Sequence, residues 1–112
     1  MAVYVSNIVI DQGFSFDVTF QLSDTRTNSF LDLTDTTSVG HLKKTYTSSS
    51  YVNFSSSIPE PEKGLITISL TDADTRLLKP GRYVYDVKII SSAGKAFKAV
   101  EGSALVRPGV TT

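Results

Sequence analysis

The chemistry open to this chain hangs first on one histidine, His41, the single imidazole in 112 residues. A Ser-His-Asp relay would need it. The surrounding "SVGHLKK", however, carries no nucleophile-elbow pattern, and His41 reads as a surface or edge-strand residue. Close carboxylates come next. Asp32 and Asp35 in "DLTD", and Asp72 and Asp74 in "TDAD", have the proximity that calcium binding or glycoside hydrolysis requires. Neither stretch has the glycine and the regular oxygen spacing of an EF-hand loop. Asp72 and Asp74 also have a structural reason, since they fall in the first turn of a predicted helix, where negative charge is favoured. The seven glycines are scattered and build no phosphate-cradling loop. The absence of cysteine removes disulfides, thiolate ligands and a thiol nucleophile. No catalytic residue, no metal ligand and no cofactor is assigned on these grounds.

Residues suited to binding are easier to find. Lys43 and Lys44, followed by Tyr46, form a small basic and aromatic group. Tyr46 and Tyr51 flank the serine-rich "TSSSY" and offer flat rings on which a glycan could stack, although the chain has no tryptophan. Arg107 and Val110 lie in the terminal "RPGVTT", a short segment that could add to a neighbour's sheet. Eleven basic and eleven acidic residues balance to a net charge of zero. Such a balance gives no general attraction to nucleic acid or to an anionic membrane, and paired lysines on an exposed strand more often guard a sheet edge. No apolar run approaches the ~20 residues needed to cross a bilayer. The opening "MAVYVSNIVI" lacks a basic leader and reads as a strand rather than a signal peptide. A cytosolic product is the simplest expectation, including one assembled into a particle inside a cell.

The elements that must position these residues are strands. In "GFSFDVTFQL", Phe14, Phe16, Val18, Phe20 and Leu22 alternate with polar residues, the period of a half-buried strand. In "AVYVSNIVI" the apolar phase changes between Val5 and Ile8, which predicts a bulge near Ser6-Asn7. A turn at Asp11-Gln12-Gly13 would then join strands one and two as a hairpin. Residues 23–37 read as a long connection anchored by Phe30, Leu31 and Leu33. Further strands are expected at "SVGHLKKTY", "YVNFSSSI", "LITISL", "RYVYDVKII" and "KAFKAVEGSALVRP", the last kinked at Glu101-Gly102. Between "LITISL" and "RYVYDVKII", Thr71 and Asp74 have capping-box spacing, which predicts a short helix with Leu77 and Leu78 packed inward and Pro80-Gly81 ending it. The pattern predicts an all-β fold: an immunoglobulin-like Greek-key β-sandwich of about seven strands, with one short helix before the sixth strand. A small barrel is the alternative. One domain is expected over residues 1–106, with a tail at 107–112. In this frame Pro80 and Gly81 lead into Tyr83, whose position suits a tyrosine corner, a hydroxyl that bonds back to the turn before its own strand.

The ordered set "IDQGFSFDVTFQL", "FLDLTDTT", "HLKKTYTSSS", "GLITISLT", "LLKPGRYVYDV" and "VEGSALVRPGVT" resembles a family of small virion structural proteins of tailed bacteriophages that infect cyanobacteria and other marine bacteria. It is also similar to the amino-terminal module of phage baseplate upper proteins. The resemblance spans Ile10 to Thr111, and "GRYVYDV" and "EGSALVRPGVT" are its most specific pieces. It departs from the generic pattern at "DTRTNSF", where a tight acidic-Gly turn is expected. The resemblance implies a non-enzymatic adaptor in the virion, assembled in the host cytoplasm, whose partners are other virion proteins of the tail, baseplate, neck or fibre. Several copies in a threefold or sixfold ring are implied, with neither nucleic acid nor membrane as partner. The alternatives are a carbohydrate-binding or host-adhesion module and a neck or head-surface (capsid decoration) protein.

Overall fold

The computed structural model describes residues 3–24 and 29–111. The strands are β1 (Tyr4–Val5), β2 (Ile8–Asp11), β3 (Phe16–Gln21), β4 (Ser23–Asp24), β5 (Ser29–Phe30), β6 (Thr37–Lys43), β7 (Val52–Ser57), β8 (Leu65–Leu70), β9 (Gly81–Ile90) and β10 (Ala96–Arg107). Among the described residues the single α-helix is α1 (Asp72–Arg76), and a 3-10 turn spans Pro61–Lys63. Eight strands make one mixed sheet in the order β1-β10-β9-β6-β7-β8-β3, with β2 beside β10 on the same edge as β1; β4 and β5 form a separate small pair. The large sheet curls into a half-barrel.

The curl has a local cause in β7. Its first half, Val52–Phe54, pairs with β6, and its second half, Ser55–Ser57, pairs with β8. One strand thus hands the sheet from one wall to the other. Where β7 leaves β6, the Ser38 hydroxyl donates to the Ser56 hydroxyl at 3.0 Å, and the Ser56 hydroxyl donates to the Ser38 carbonyl at 2.8 Å. These side chains replace ladder bonds that the divergence removes. Gly40 sits just inside this bend, where an added Cβ would lie 3.2 Å from the Phe54 ring. The two ends of the sheet approach each other without backbone pairing: the rings of Tyr4 on β1 and Phe20 on β3 lie 5.8 Å apart.

The core follows the alternation. Phe20, Leu42, Phe54, Ile66, Ile68, Leu70, Tyr85, Val87, Ile89 and Val106 are buried within one cluster. The capping box is present: the Thr71 hydroxyl accepts from the Asp74 amide, and the Asp74 carboxylate accepts from the Thr71 amide. Leu78 is buried as expected, but Leu77 is 84% exposed. A helix of five residues has room for one inward leucine after it. In the long connection Leu33 is buried and Leu31 packs at the core margin, whereas Phe30 is exposed on β5. Residues 25–28, within the "DTRTNSF" stretch, lie outside the described residues.

Strands one and two do not form a hairpin. β2 runs parallel to β10, with Ile8 opposite Ala104 and Ile10 opposite Val106, while β3 pairs with β8. The reason lies in the turn between them. The Gly13 amide donates to the Thr75 hydroxyl at 3.0 Å, that hydroxyl donates to the Phe14 carbonyl at 2.8 Å, and the Gln12 side-chain amide donates to the Leu78 carbonyl at 2.8 Å. The turn spends its polar groups on α1 and its flank, so the chain is carried across the core to β8 rather than back along β2.

The phase change at Ser6-Asn7 is a gap in pairing, not a bulge. Val5 faces Glu101 and Ile8 faces Ala104, so both strands advance equally. The gap is closed by other groups. The Ser6 amide donates to the Glu101 carbonyl at 2.9 Å, and Asn7 Oδ1 accepts from the Ser103 amide and hydroxyl, each at 3.1 Å. The register shift in β10 falls between Lys98 and Val100 rather than at Glu101-Gly102. The extra residue lets Ala99 and Val100 both turn inward. Gly102 is glycine for closeness rather than bending: a Cβ there would lie 1.9 Å from the Ser6 carbonyl oxygen. β10 also extends one residue beyond the boundary expected at 106, since Arg107 pairs with Asp11.

Candidate binding face

The predicted site residues separate into three places. The first is the entrance to β9. The Tyr83 hydroxyl donates to the Lys79 carbonyl at 2.7 Å, the backward reach that a tyrosine corner makes. Pro80 is exposed in the turn, and Gly81 opens β9 with φ +143°, a conformation that suits glycine. Lys44 belongs here as well. Its ammonium donates to the Arg82 carbonyl at 3.0 Å and lies 4.7 Å from the centre of the Tyr83 ring. Lys43, one residue earlier, faces the other way and pairs opposite Val84. Strand alternation therefore splits the two lysines, and they make no joint basic patch.

The second place is the end of β10. Arg107 grips Asp11 with both prongs, Nε donating to Oδ1 at 2.8 Å and Nη2 to Oδ2 at 3.1 Å. This guanidinium holds the Asp11 carboxyl below its ordinary range, and the carboxylate raises Arg107 in turn. Beyond it the chain lies against the Asp11–Phe14 turn, where a Cβ on Gly109 would come 2.3 Å from the Gln12 carbonyl oxygen. Val110 is 98% exposed. Thr112 lies outside the described residues.

The third place brings Tyr46 and Tyr51 together on the outer face of β6, β9 and β10. The connection from β6 to β7 folds so that the Tyr51 ring stacks on His41, with centres 4.0 Å apart and planes 17° apart. In β9, Asp86 sits opposite His41 on one side and opposite Glu101 on the other. The Lys98 ammonium lies 3.2 Å from Glu101 and 3.8 Å from Asp86. The hydrogen bond with Glu101 is the main reason its pKa stands above the ordinary lysine value; the Glu101 and Asp86 charges add to it. Two hollows flank this centre and share His41 and Asp86. One, of about 270 Å³, is walled by Val39, Phe97 and Lys98; the other, of about 150 Å³, by Lys43, Tyr46 and Val84. Sequence reasoning singled out Tyr46 and Tyr51 for binding but not Lys98 or Glu101, and Phe97, opposite buried Ile89, turns to the inner side. The outward row Val84, Asp86, Lys88 and Ile90 was legible as a period of two, but its neighbours on β6 and β10 required the pairing.

The opposite outer face is different. Across β3, β8 and β7, Asp17, Ser69 and Ser55 form one row and Thr19, Thr67 and Ser57 the next. The Thr19 and Thr67 hydroxyls bond to each other at 2.8 Å. This is a hydroxylated surface that water satisfies well. The carboxylate pairs singled out in the sequence have local partners. Asp32 accepts from the amide and hydroxyl of Thr34, which lowers its pKa, the hydroxyl being the larger cause. Asp72 meets Arg76 at 3.5 Å, and Asp74 caps α1. Among the described residues no group of three or more His, Asp or Glu is arranged to hold a metal ion, and no helix is long and apolar enough to cross a membrane.

Comparison with known proteins adds little to this geometry. No family model matches the chain, and no curated protein matches it. Among solved structures, an internalin-like protein of Listeria monocytogenes aligns over 96% of this chain and 28% of its own, with 17% identity and a TM-score of 0.47. A family 123 glycoside hydrolase from Clostridium perfringens aligns over 100% of this chain and 24% of its own, with 12% identity and a TM-score of 0.45. The chain thus spans about a quarter of the length of each of these larger proteins.

Proposed function

We propose that this chain is a non-enzymatic virion structural protein of a tailed phage, an immunoglobulin-like β-sandwich adaptor of the tail, baseplate or fibre-attachment region that docks onto neighbouring virion proteins. The sequence resemblance motivates this reading. The observation that carries its mechanism is the free edge formed by β1 and β2. Both strands pair with β10 on one side, and among the described residues no strand pairs on the other. Val3, Val5 and Val9 are exposed along it. A sheet edge with apolar side chains and without lysine or proline is a template for strand addition. Copies repeated in a ring would multiply a modest single contact by avidity. The hydrogen bond from Tyr83 to Lys79, of the kind a tyrosine corner makes, and the handover at β7 from one wall to the other support the sandwich reading.

The experiment is complementation. Val5→Lys and Val9→Lys, made together, place charge on an edge that is exposed in the free protein, so the isolated domain should keep its denaturation midpoint. Particles assembled in its presence should lose the protein. Full incorporation of a folded double variant would overturn the edge mechanism, and absence of the wild-type chain from purified particles would overturn the virion role.

A further inference from the structure

A hollow of about 250 Å³ opens between the connection that follows β5 and the β9–β10 hairpin. Leu31 and Leu33 wall it from the connection, and Ile89 and Phe97 wall it from the hairpin. Leu33 and Ile89 are buried members of the core. Phe97, opposite Ile89 in the pairing, turns to the same inner side and is 45% exposed. The free edge lies elsewhere, since β1 meets β10 at Val100 and Glu101 and β2 meets it further along.

The polar groups of the hollow are Asp32, Thr36 and Ser91, and they are rich in acceptors. The amide and hydroxyl of Thr34 both donate to Asp32 Oδ1, at 3.0 and 2.6 Å. Among the described residues Asp32 Oδ2 has no partner. The two bonds hold the carboxyl below its ordinary range, so it stays ionised. The Thr36 hydroxyl donates to the Thr34 carbonyl at 3.4 Å, and the Ser91 hydroxyl accepts from the Lys95 amide at 3.3 Å. Each of these hydroxyl oxygens keeps a lone pair free. No cationic side chain lines the hollow. Lys95, at the turn of the hairpin, is exposed, and its ammonium makes no ion pair among the described residues.

These features select one occupant. Small-molecule sites usually span about 300–1,000 Å³, so this hollow suits a single side chain. A neutral apolar group would cover Oδ2 without giving it a donor. An anion would face the Asp32 carboxylate. A lysine would bring a compact, strongly hydrated ammonium that must shed its water. An arginine meets each demand. Its apolar stem lies along leucines, its flat guanidinium stacks on an aromatic ring, and its several N–H groups reach the carboxylate and hydroxyl oxygens together.

We infer that the hollow between Leu31, Leu33, Ile89 and Phe97 is a socket for an arginine side chain of a partner protein, with Asp32 as its counter-ion. The socket is separate from the β1–β2 edge and does not depend on the virion role.

The test uses the isotope-labelled full chain and a capped peptide, Ala-Leu-Arg-Leu-Ala, with counterparts carrying lysine, glutamate or citrulline (the uncharged analogue of arginine) at the centre. The arginine peptide at millimolar concentration should shift the backbone amide resonances of Leu31, Leu33, Ser91 and Phe97. The citrulline and glutamate peptides should bind about tenfold more weakly or worse, and the lysine peptide should fall between. Asp32→Asn, which keeps an acceptor for Thr34, should bring the arginine peptide down to the citrulline level. Phe97→Ala should weaken it severalfold with little change in denaturation midpoint. Lys95→Gln should bind at least as tightly as wild type, and the Val5→Lys, Val9→Lys variant should bind normally. No shift with the arginine peptide, equal binding of the arginine and citrulline peptides, preference for glutamate, or binding that Asp32→Asn and Phe97→Ala both leave intact would overturn the inference.

Discussion

Gly102→Ala tests the tightest approach that an added Cβ would make at any glycine. A methyl group there would stand 1.9 Å from the Ser6 carbonyl oxygen and 2.7 Å from its carbon. To reach ordinary contact at 3.4 Å, the Ser6 backbone must retreat by about 1.5 Å. Two hydrogen bonds are strained by that retreat: Tyr85 hydroxyl to Ser6 carbonyl at 2.6 Å, and Ser6 amide to Glu101 carbonyl at 2.9 Å. Each is worth about 1 kcal/mol net, and forcing backbone apart adds about 1–3 kcal/mol. Alanine recovers roughly 0.5–1 kcal/mol by restricting the unfolded chain, since Gly102 has no positive φ. The expected net loss is therefore about 2–4 kcal/mol, or a Tm lower by roughly 8–16 °C at about 4 °C per kcal/mol. Urea denaturation with a calorimetric Tm is the assay. Gly94→Ala is the control, because nothing lies within 4 Å of its added Cβ; its φ of +82° alone should cost about 1 kcal/mol. Tyr85→Phe supplies the second arm. If Gly102→Ala acts by displacing Ser6, the double variant should lose less than the sum of the singles. A Gly102→Ala midpoint equal to wild type, or strict additivity with Tyr85→Phe, would refute the reasoning.

Thr75→Val should cost about 1–3 kcal/mol in urea denaturation, because a fully buried hydroxyl that accepts from the Gly13 amide and donates to the Phe14 carbonyl is replaced by a methyl; Thr75→Ser should retain most of the stability. Burial pushes the Tyr85 phenol up to about 12 from 10, against the opposing bond to Ser6. The fold therefore holds the phenolic proton more tightly than the unfolded chain does. This contribution is complete below pH 10 and is lost as pH rises through 12. A shift of this size is worth at most about 3 kcal/mol, so wild type should lose up to about that much relative to Tyr85→Phe between those pH values. Parallel pH curves for the two proteins would remove the claim.

Legibility tracked the range of the interactions. Phe16, Val18 and Phe20 announced their strand, since alternation is a property of one chain segment. Thr71 and Asp74 announced the helix start, since the capping box spans four residues. Leu77 was misread because one short turn of helix has only one inward direction to give. The hairpin between strands one and two was misread because Asp11-Gln12-Gly13 has turn chemistry, yet its amides bond to Thr75 and beyond, sixty residues away. Tyr46 and Tyr51 stood out by type alone, while Asp86, Lys98 and Glu101 did not, because each is an ordinary strand charge until its neighbours are known.

The sequence by itself determined the β class, the inward and outward faces of most strands, the capped turn of helix, and the lack of thiol chemistry. These follow from side-chain period, local hydrogen bonding and composition. Tertiary structure alone decided that β2 lies parallel to β10, that β7 bridges two walls, that Lys43 and Lys44 serve opposite faces, and that His41, Tyr51, Asp86 and Lys98 share one surface. Such pairings join residues far apart in the chain. They are selected by the fit of whole strands and by buried polar groups finding partners, quantities that no local stretch of sequence contains.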